Sequence, residues 1–309
     1  MKPLLFTAAF ALAAVRLCAQ APDTTPDAAP SAGPPKLTDD QLRIRGVFNT
    51  ALPGTEKKNS LRFIFHPHFG DFTQKDYLRI PVGLRYGLTD NWEVTGEVEG
   101  YVSHGFGDVP AFKEYGFSNI HFGTKYHLKE QVLGGWDSAV GFDYIQPVSH
   151  PPMEVTDGLT HMVPFMSFSR RLERDPRWRV FWGFGADLIN KTDVPGKLEK
   201  NELGDDSVNV TGGVVWDRNR WHYTFESQVA TSAGIGAPNN GTVVTLRPGV
   251  VWDVPEKYTR WIGGRWVLGV AGRASHGPDG FDFGAGAKVR VDFDFKKLIG
   301  RRPKAIDEK

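Results

Sequence analysis

Residues 281–295, FDFGAGAKVRVDFDF, alternate strictly between two classes of side chain. The odd-numbered positions carry Phe, Ala and Val, whereas the even-numbered positions carry Asp, Gly, Lys and Arg. Because successive side chains of a β-strand point to opposite faces, this pattern predicts a strand with one apolar and one charged face. A strand of a transmembrane β-barrel has this composition, with lipid outside and a polar interior. A soluble, ligand-binding barrel would show the reverse.

The same alternation occurs in two neighbouring segments, 76–88 and 92–103. In the second segment, the charged face carries three carboxylates, which cannot face lipid cheaply. These carboxylates belong to Glu93, Glu97 and Glu99. The sequence therefore predicts that this face lines the interior of the barrel.

A short connection, residues 89–91, joins these two segments and fixes how they pair. The apolar positions are even-numbered in both segments, so opposed residue numbers must sum to an even number. A three-residue connection satisfies this condition, and it places Leu88 opposite Trp92 and Arg85 opposite Thr95. Arg85 then lies within reach of the glutamates across the hairpin.

The full count of alternating segments predicts a closed, antiparallel, up-and-down transmembrane β-barrel of about twelve strands in the bacterial outer membrane. An even strand number returns the chain to its starting side. The connections after even-numbered strands tend to be shorter, as periplasmic turns are. The predicted strands are 60–69, 76–88, 92–103, 117–128, 136–147, 160–172, 177–189, 206–217, 220–231, 242–253, 264–274 and 281–295.

Seven of the nine tryptophans lie at segment ends that an up-and-down topology brings to one rim. Indole rings favour the membrane interface because the ring is apolar and its N–H binds water or a headgroup. We therefore predict a periplasmic membrane-interface girdle of Trp92, Trp136, Trp178, Trp216, Trp221, Trp252 and Trp266. Of the other two, Trp182 is predicted to face outward at mid-strand and Trp261 to lie in a long inner turn.

The N-terminus predicts export. Lys2, an apolar run over 4–15 and the small residues Ala19 and Ala21 before the expected cleavage point are typical of a signal peptide covering 1–21. A lipoprotein anchor at Cys18 is the alternative, but Leu17 stands where a small residue is needed. The predicted order is then a disordered Pro/Ala-rich periplasmic leader (22–44), the barrel (45–295) and a basic C-terminal tail (296–309).

Composition excludes several classes of protein. Cys18 is the only cysteine, so the mature chain has no disulfide or thiolate metal site. The chain has 37 Lys+Arg and 36 Asp+Glu, and cleavage would remove Lys2 and Arg16 to leave 35 against 36. This balance gives no long-range attraction for nucleic acid. We predict no cofactor.

Two residue patterns suggest chemistry, and we interpret both as structural. His66 and His68 have a spacing that could bind zinc or copper, but the predicted pairing places Arg79 beside His66 and Tyr77 beside His68. A guanidinium repels a cation, so we predict no metal site. Three Ser-His dipeptides lie near outer loops, but adjacent strand residues face opposite ways and cannot form a nucleophile–base pair. These dipeptides are Ser103-His104, Ser149-His150 and Ser275-His276.

The remaining polar residues of the inward face are the candidate site. They could line a solute path or form a network that fills a closed barrel, because twelve strands lie between filled and open sizes. We favour the solute path. Its predicted lining is Arg79, Arg85, Glu93, Glu97, Glu99, His121, Lys125, Asp143, Arg179, Asp187, Glu226, Arg247, Arg265, Arg273, Lys288 and Arg290.

Several motifs resemble the family of outer-membrane transporters associated with phenol meta-cleavage pathways. They are the ALPG of 51–54, the LRYGLTDNWE of 84–93, Gly107-Asp108 and the GTKY of 123–126. The resemblance implies passage of a small, apolar or aromatic solute and carries over no catalytic residue. Barrels usually end on an aromatic residue, which Phe295 matches, yet here a tail follows.

The sequence thus predicts a monomeric, non-enzymatic channel or transporter for passive passage of a small solute. Its predicted partners are outer-membrane lipid, the solute and the outer-membrane assembly machinery. Two alternatives remain open: a barrel enzyme that modifies outer-membrane lipids, and a purely structural envelope barrel.

Overall fold

The computed structural model of the chain describes Phe48 and residues 50–69, 76–128, 134–152, 155–156, 158–191, 206–232, 241–278 and 280–294. The predicted signal peptide, leader and C-terminal tail lie outside the described residues. Within them, no helix is both long and apolar enough to cross a membrane.

The strands form one closed antiparallel sheet, and from the third strand onward each pairs with the next one along the chain. The first and last strands also pair, which closes the barrel. The strands are β1 (Ser60–Phe65), β2 (His68–Phe69), β3 (Tyr77–Gly87), β4 (Trp92–Ser103), β5 (Tyr115–His127), β6 (Asp137–Pro147), β7 (Leu159–Arg171), β8 (Trp178–Lys191), β9 (Ser207–Arg218), β10 (Trp221–Thr231), β11 (Thr242–Asp253), β12 (Arg265–Gly277) and β13 (Gly280–Asp294). One short helix, α1 (Glu256–Thr259), precedes β12.

β1 and β2 are two parts of one barrel strand, so the barrel has twelve strands. Both parts pair with β13 and β3 in a single continuous register. The interruption falls at Pro67, which has no N–H to donate. Its carbonyl still accepts a hydrogen bond from the Ala287 N–H at 2.8 Å, and the His66 N–H donates to the Pro81 carbonyl at 3.2 Å.

The outward and inward faces of the wall carry the side chains that the alternation predicts. Outward residues such as Leu84 and Phe283 are 49% and 59% exposed, as expected of side chains that lipid would cover. Inward charged residues such as Arg62 and Glu93 are buried. The barrel therefore keeps its charges inside, and the prediction of a closed antiparallel barrel of about twelve strands is confirmed.

The predicted hairpin is also confirmed. Arg85 pairs with Thr95, and the Leu88 N–H donates to the Trp92 carbonyl at 2.9 Å. The register predicted on the other side of β3 is wrong, because Arg79 pairs with His68 and not with His66. The observed register is shifted by two residues from the predicted one, so the same side chains still face inward.

Candidate functional site

The lumen contains a piece of the chain's own N-terminal region. This lumen segment, Phe48 and residues 50–58, precedes β1 and runs along the inner face of the wall. Leu52 is 1% exposed and packs in one apolar cluster with inward-facing wall residues, and Phe48 packs against the same cluster. The wall members of the cluster are Phe181, Val215, Val251 and Val267. This apolar cluster inside the barrel thus includes a segment that is not part of the sheet.

Glu226 of β10 holds the upstream end of the lumen segment. One carboxylate oxygen accepts the Phe48 N–H at 2.7 Å, and the other accepts the Thr50 N–H at 3.0 Å. The lumen segment lies outside the sheet ladder, so its N–H groups need partners of their own, and a buried N–H without one is costly. The carboxylate supplies two of them with charge-assisted bonds.

Lys125 of β5 holds the middle of the segment. Its Nζ donates to the carbonyl oxygens of Leu52 at 2.9 Å and Gly54 at 2.8 Å. It also forms an ion pair with Glu93 at 3.0 Å, and both side chains are buried. The ammonium group therefore uses its three donors on the segment and on one wall carboxylate.

A chain of charges continues from Glu93 to the first strand. The Glu93 Oε2 accepts the Glu56 N–H at 2.8 Å. Glu56 in turn lies 2.9 Å from Arg62, which also pairs with Asp292 of β13. Segment and wall thus share a network in which Lys125 neutralises Glu93 and Arg62 neutralises Glu56 and Asp292.

The downstream end of the segment contacts the β3–β4 turn. Lys58 and Gly87 form a parallel bridge, and the Asn59 N–H donates to the Gly87 carbonyl at 2.8 Å. The Asp90 carboxylate accepts the Lys58 N–H at 3.1 Å, and the Asp90 backbone carbonyl accepts the Thr55 hydroxyl at 3.0 Å. The segment therefore closes toward the rim at which the short turns lie.

Gly87 is the position that allows this close approach, because a Cβ there would overlap the backbone of residues 56 and 57. We expect Gly87→Ala to displace the segment and to lower the free energy of unfolding by about 1–3 kcal/mol, the usual cost of overpacking. Gly96→Ala on β4 is the matched control, since no other atom lies within 4 Å of the place that its new methyl group would take. Urea unfolding in lipid vesicles measures both, and equal stability of the two variants would contradict this expectation.

All sixteen predicted lining residues lie on the inward face of the wall by register. Four of them contact the lumen segment directly: Glu93, Lys125, Glu226 and Lys288, whose Nζ is 3.5 Å from the Phe48 carbonyl. Arg85 is 3.9 Å from Glu93. A role in a solute path stays a prediction for the set.

Two other lining residues, Glu97 and Asp187, form ion pairs with histidines of the wall. Glu97 lies between two imidazoles, 2.9 Å from His66 and 3.6 Å from His121. Asp187 contacts His161 at 2.9 Å. Among the described residues, no group of three or more His, Cys, Asp or Glu side chains is arranged to hold a metal ion.

A second histidine cluster lies near the short-turn rim and was missed by the sequence analysis. His222 Nδ1 is 2.7 Å from Asp217, and its Nε2 is 3.3 Å from Asp253. The Arg171 guanidinium forms an ion pair with the Asp217 carboxylate at 2.9 Å. The alternation of the sequence indicates that these four residues face inward. It does not indicate that they contact one another, because they come from four different strands, β7, β9, β10 and β11.

The lumen segment was also missed. Leu52 and Phe48 lie in a region that shows no alternation, and the inward apolar residues Phe181 and Val215 are the signal that could have revealed it. An apolar side chain facing a charged interior needs an apolar partner, and the wall alone does not supply enough of them.

The seven predicted girdle tryptophans lie at one end of the barrel by strand order and register. Several stack on the outer surface: Trp178 on Trp216 with centroids 5.9 Å apart, and Trp221 on Trp252 at 5.7 Å. Trp182 stacks on Phe168 at mid-strand. Contact with the membrane interface remains the prediction for this belt.

The Ser-His dipeptides form no nucleophile–base pair among themselves in the described residues. The Ser103 hydroxyl donates to the Pro110 carbonyl, and the Ser149 hydroxyl donates to the Phe117 carbonyl. Ser275 faces the lumen, whereas His276 stacks on Phe281 with centroids 4.4 Å apart. The Ser103 and Ser149 hydroxyls thus bind loop carbonyls, and the His276 ring packs on the outer face of the wall.

No family model and no curated protein match the chain. Solved structures do match it. An outer membrane channel from Pseudomonas putida F1 aligns with a TM-score of 0.53 and 8% identity, covering 78% of this chain and 98% of that one. The KdgM porin aligns with a TM-score of 0.47 and 8% identity, covering 75% and 99%. The chain thus has the fold of a bacterial outer-membrane β-barrel.

Proposed function

We propose that this protein is an outer-membrane channel for small solutes, with its lumen segment as the element that restricts passage. The main support for this proposal is that a peptide segment from outside the sheet fills part of the lumen. Leu52 and its neighbours occupy space that the wall side chains leave open, and they are held by contacts that can break without breaking the sheet. A barrel with a purely structural role could be filled by the side chains of its own wall, without a separate segment.

The size of the barrel supports this proposal. Twelve strands enclose more space than the eight-stranded barrels whose interiors are filled by their own side chains, and less than the 16-stranded open porins. Removing one peptide segment from such a lumen would leave a narrow, charged passage. The mixed charges of its wall would then select among solutes.

The solute that we propose is a small aromatic compound, as in phenol meta-cleavage pathways. The support for this is the motif resemblance, including the ALPG of 51–54 that forms part of the lumen segment. Inward aromatic rings occur in the same lumen: Tyr101 packs edge-to-face on Tyr77 with centroids 5.6 Å apart.

Planar-bilayer conductance and liposome swelling test the channel role. We expect discrete conductance steps, and faster swelling in benzoate and in arabinose than in protein-free liposomes. Faster swelling in arabinose alone would contradict the aromatic solute and keep the channel. Protein that is folded and inserted, yet gives neither conductance nor swelling, would favour the structural barrel.

A further inference from the structure

The connection between β11 and β12, residues 254–264, is the longest of the described connections at the short-turn rim and carries exposed apolar side chains. Tyr258 is 57% exposed, Trp261 84% and Ile262 45%. We name these three residues the apolar foot. Large apolar side chains that are grouped in this way on a surface mark a site of contact with lipid or another molecule.

Hydrogen bonds within the turn hold the backbone that carries the apolar foot. The Thr259 carbonyl accepts the N–H groups of Ile262 at 3.0 Å and Gly263 at 2.9 Å, and the Thr259 side chain is buried. Gly263 and Gly264 then take left-handed conformations, with φ of 80° and 73°, and turn the chain into β12. The foot is therefore presented by a defined turn.

One hydrogen bond ties this turn to the tryptophan belt. The indole N–H of Trp266 donates to the Gly263 carbonyl at 2.9 Å. Trp266 faces outward, where lipid would cover the barrel, and its belt neighbours Trp252 and Trp221 stack on each other. The turn is thus continuous with the outward face and not with the lumen.

Basic residues flank the apolar foot. The Lys257 Nζ lies 4.7 Å from the centre of the Tyr258 ring, and Arg260 is exposed beside Trp261. Aromatic rings with adjacent cations are typical of segments that lie in a membrane interface, where the cations meet lipid phosphates. Lipid is the partner that fits this position, because the turn is hydrogen-bonded to the outward-facing Trp266.

We propose that the apolar foot inserts into the headgroup–acyl boundary of the membrane leaflet at the short-turn rim and anchors the barrel at a fixed depth. Tyr258, Trp261 and Ile262 supply the apolar contact, and Lys257 and Arg260 bind the phosphates of anionic phospholipids. This anchoring is independent of whether the lumen conducts.

A single bimane-labelled cysteine in a Cys18→Ser background tests the proposal, since Cys18 is the only cysteine in the sequence. Trp261→Cys is compared with Glu256→Cys, a polar position of the same turn, and with Arg220→Cys in the β9–β10 turn. The full-length protein is placed in phosphatidylethanolamine–phosphatidylglycerol vesicles with nitroxide lipids. We expect lipid nitroxides to quench the Trp261→Cys label at least twofold more strongly than either control, and iodide to quench it less.

Equal iodide quenching at all three positions would overturn the proposal. Heat-modifiable gel mobility shows in the same samples that each variant has formed a barrel, so misfolding is not mistaken for a water-exposed foot. Burial of the Trp261→Cys label only after a periplasmic extract is added would also overturn the proposal, because it would indicate a protein partner.

Discussion

Leu52→Ala is expected to raise the frequency of open-channel events at least tenfold in planar-bilayer recordings. The side chain is buried in the cluster with Phe181, Val215 and Val251, and such a truncation costs about 2–5 kcal/mol in a packed core. This cost falls only on the state in which the lumen segment is in place. Because about 1.4 kcal/mol changes an equilibrium constant tenfold, the displaced state gains at least one order of magnitude.

Leu246→Ala provides the matched control for this variant. Leu246 lies on the outward face of β11 and is 43% exposed, so its loss leaves the lumen unchanged. Limited proteolysis with mass spectrometry gives a second measurement, since a displaced segment becomes cleavable between 48 and 58. If Leu52→Ala neither opens the channel nor exposes the segment, the segment does not restrict passage.

Lys125→Met is expected to lower the free energy of unfolding by about 3–5 kcal/mol, which is typical for removing one partner of a buried ion pair. The substitution leaves the Glu93 carboxylate without its 3.0 Å partner and removes the donor to the carbonyls of Leu52 and Gly54. Urea unfolding in vesicles, followed by tryptophan fluorescence, measures this loss. Lys113→Met, at an exposed loop position, is the control and should change stability by less than about 0.5 kcal/mol.

The double variant Lys125→Met/Glu93→Gln separates the ion pair from the donor to the segment. Neutralising Glu93 removes the unpaired charge, so the double variant should be more stable than Lys125→Met alone. Its lumen segment should still be more accessible to protease than that of the unmodified protein. A double variant that is less stable than Lys125→Met would contradict the assignment of Lys125 to the Glu93 charge.

The wall of the barrel could be predicted closely from the sequence. The predicted segment 92–103 has the same bounds as β4, and 242–253 has the same bounds as β11. The alternation of apolar and charged side chains is a local property, and each strand has a lipid face and a lumen face. The pairing of Arg85 with Thr95 was also predictable, because parity and a short connection leave one register.

Registers that are separated by longer connections were less predictable. Arg79 pairs with His68 and not with His66. Shifting this pairing by two residues keeps the same side chains inward, so the alternation of faces does not choose between the two registers across a longer outer connection. The bulge between Glu99 and Gly100, at which β5 contributes an additional residue, is likewise not visible in the alternation.

The sequence by itself therefore determined which residues form the barrel wall, which face each side chain takes and that the seven tryptophans share one rim, because all three depend on a two-residue period and on chain order. Only the tertiary structure placed the lumen segment. The Phe48 N–H and Glu226 are 178 positions apart, and 176 positions separate the Thr50 N–H from the same carboxylate. Such contacts depend on barrel closure bringing distant strands around a shared interior, for which no local pattern carries information.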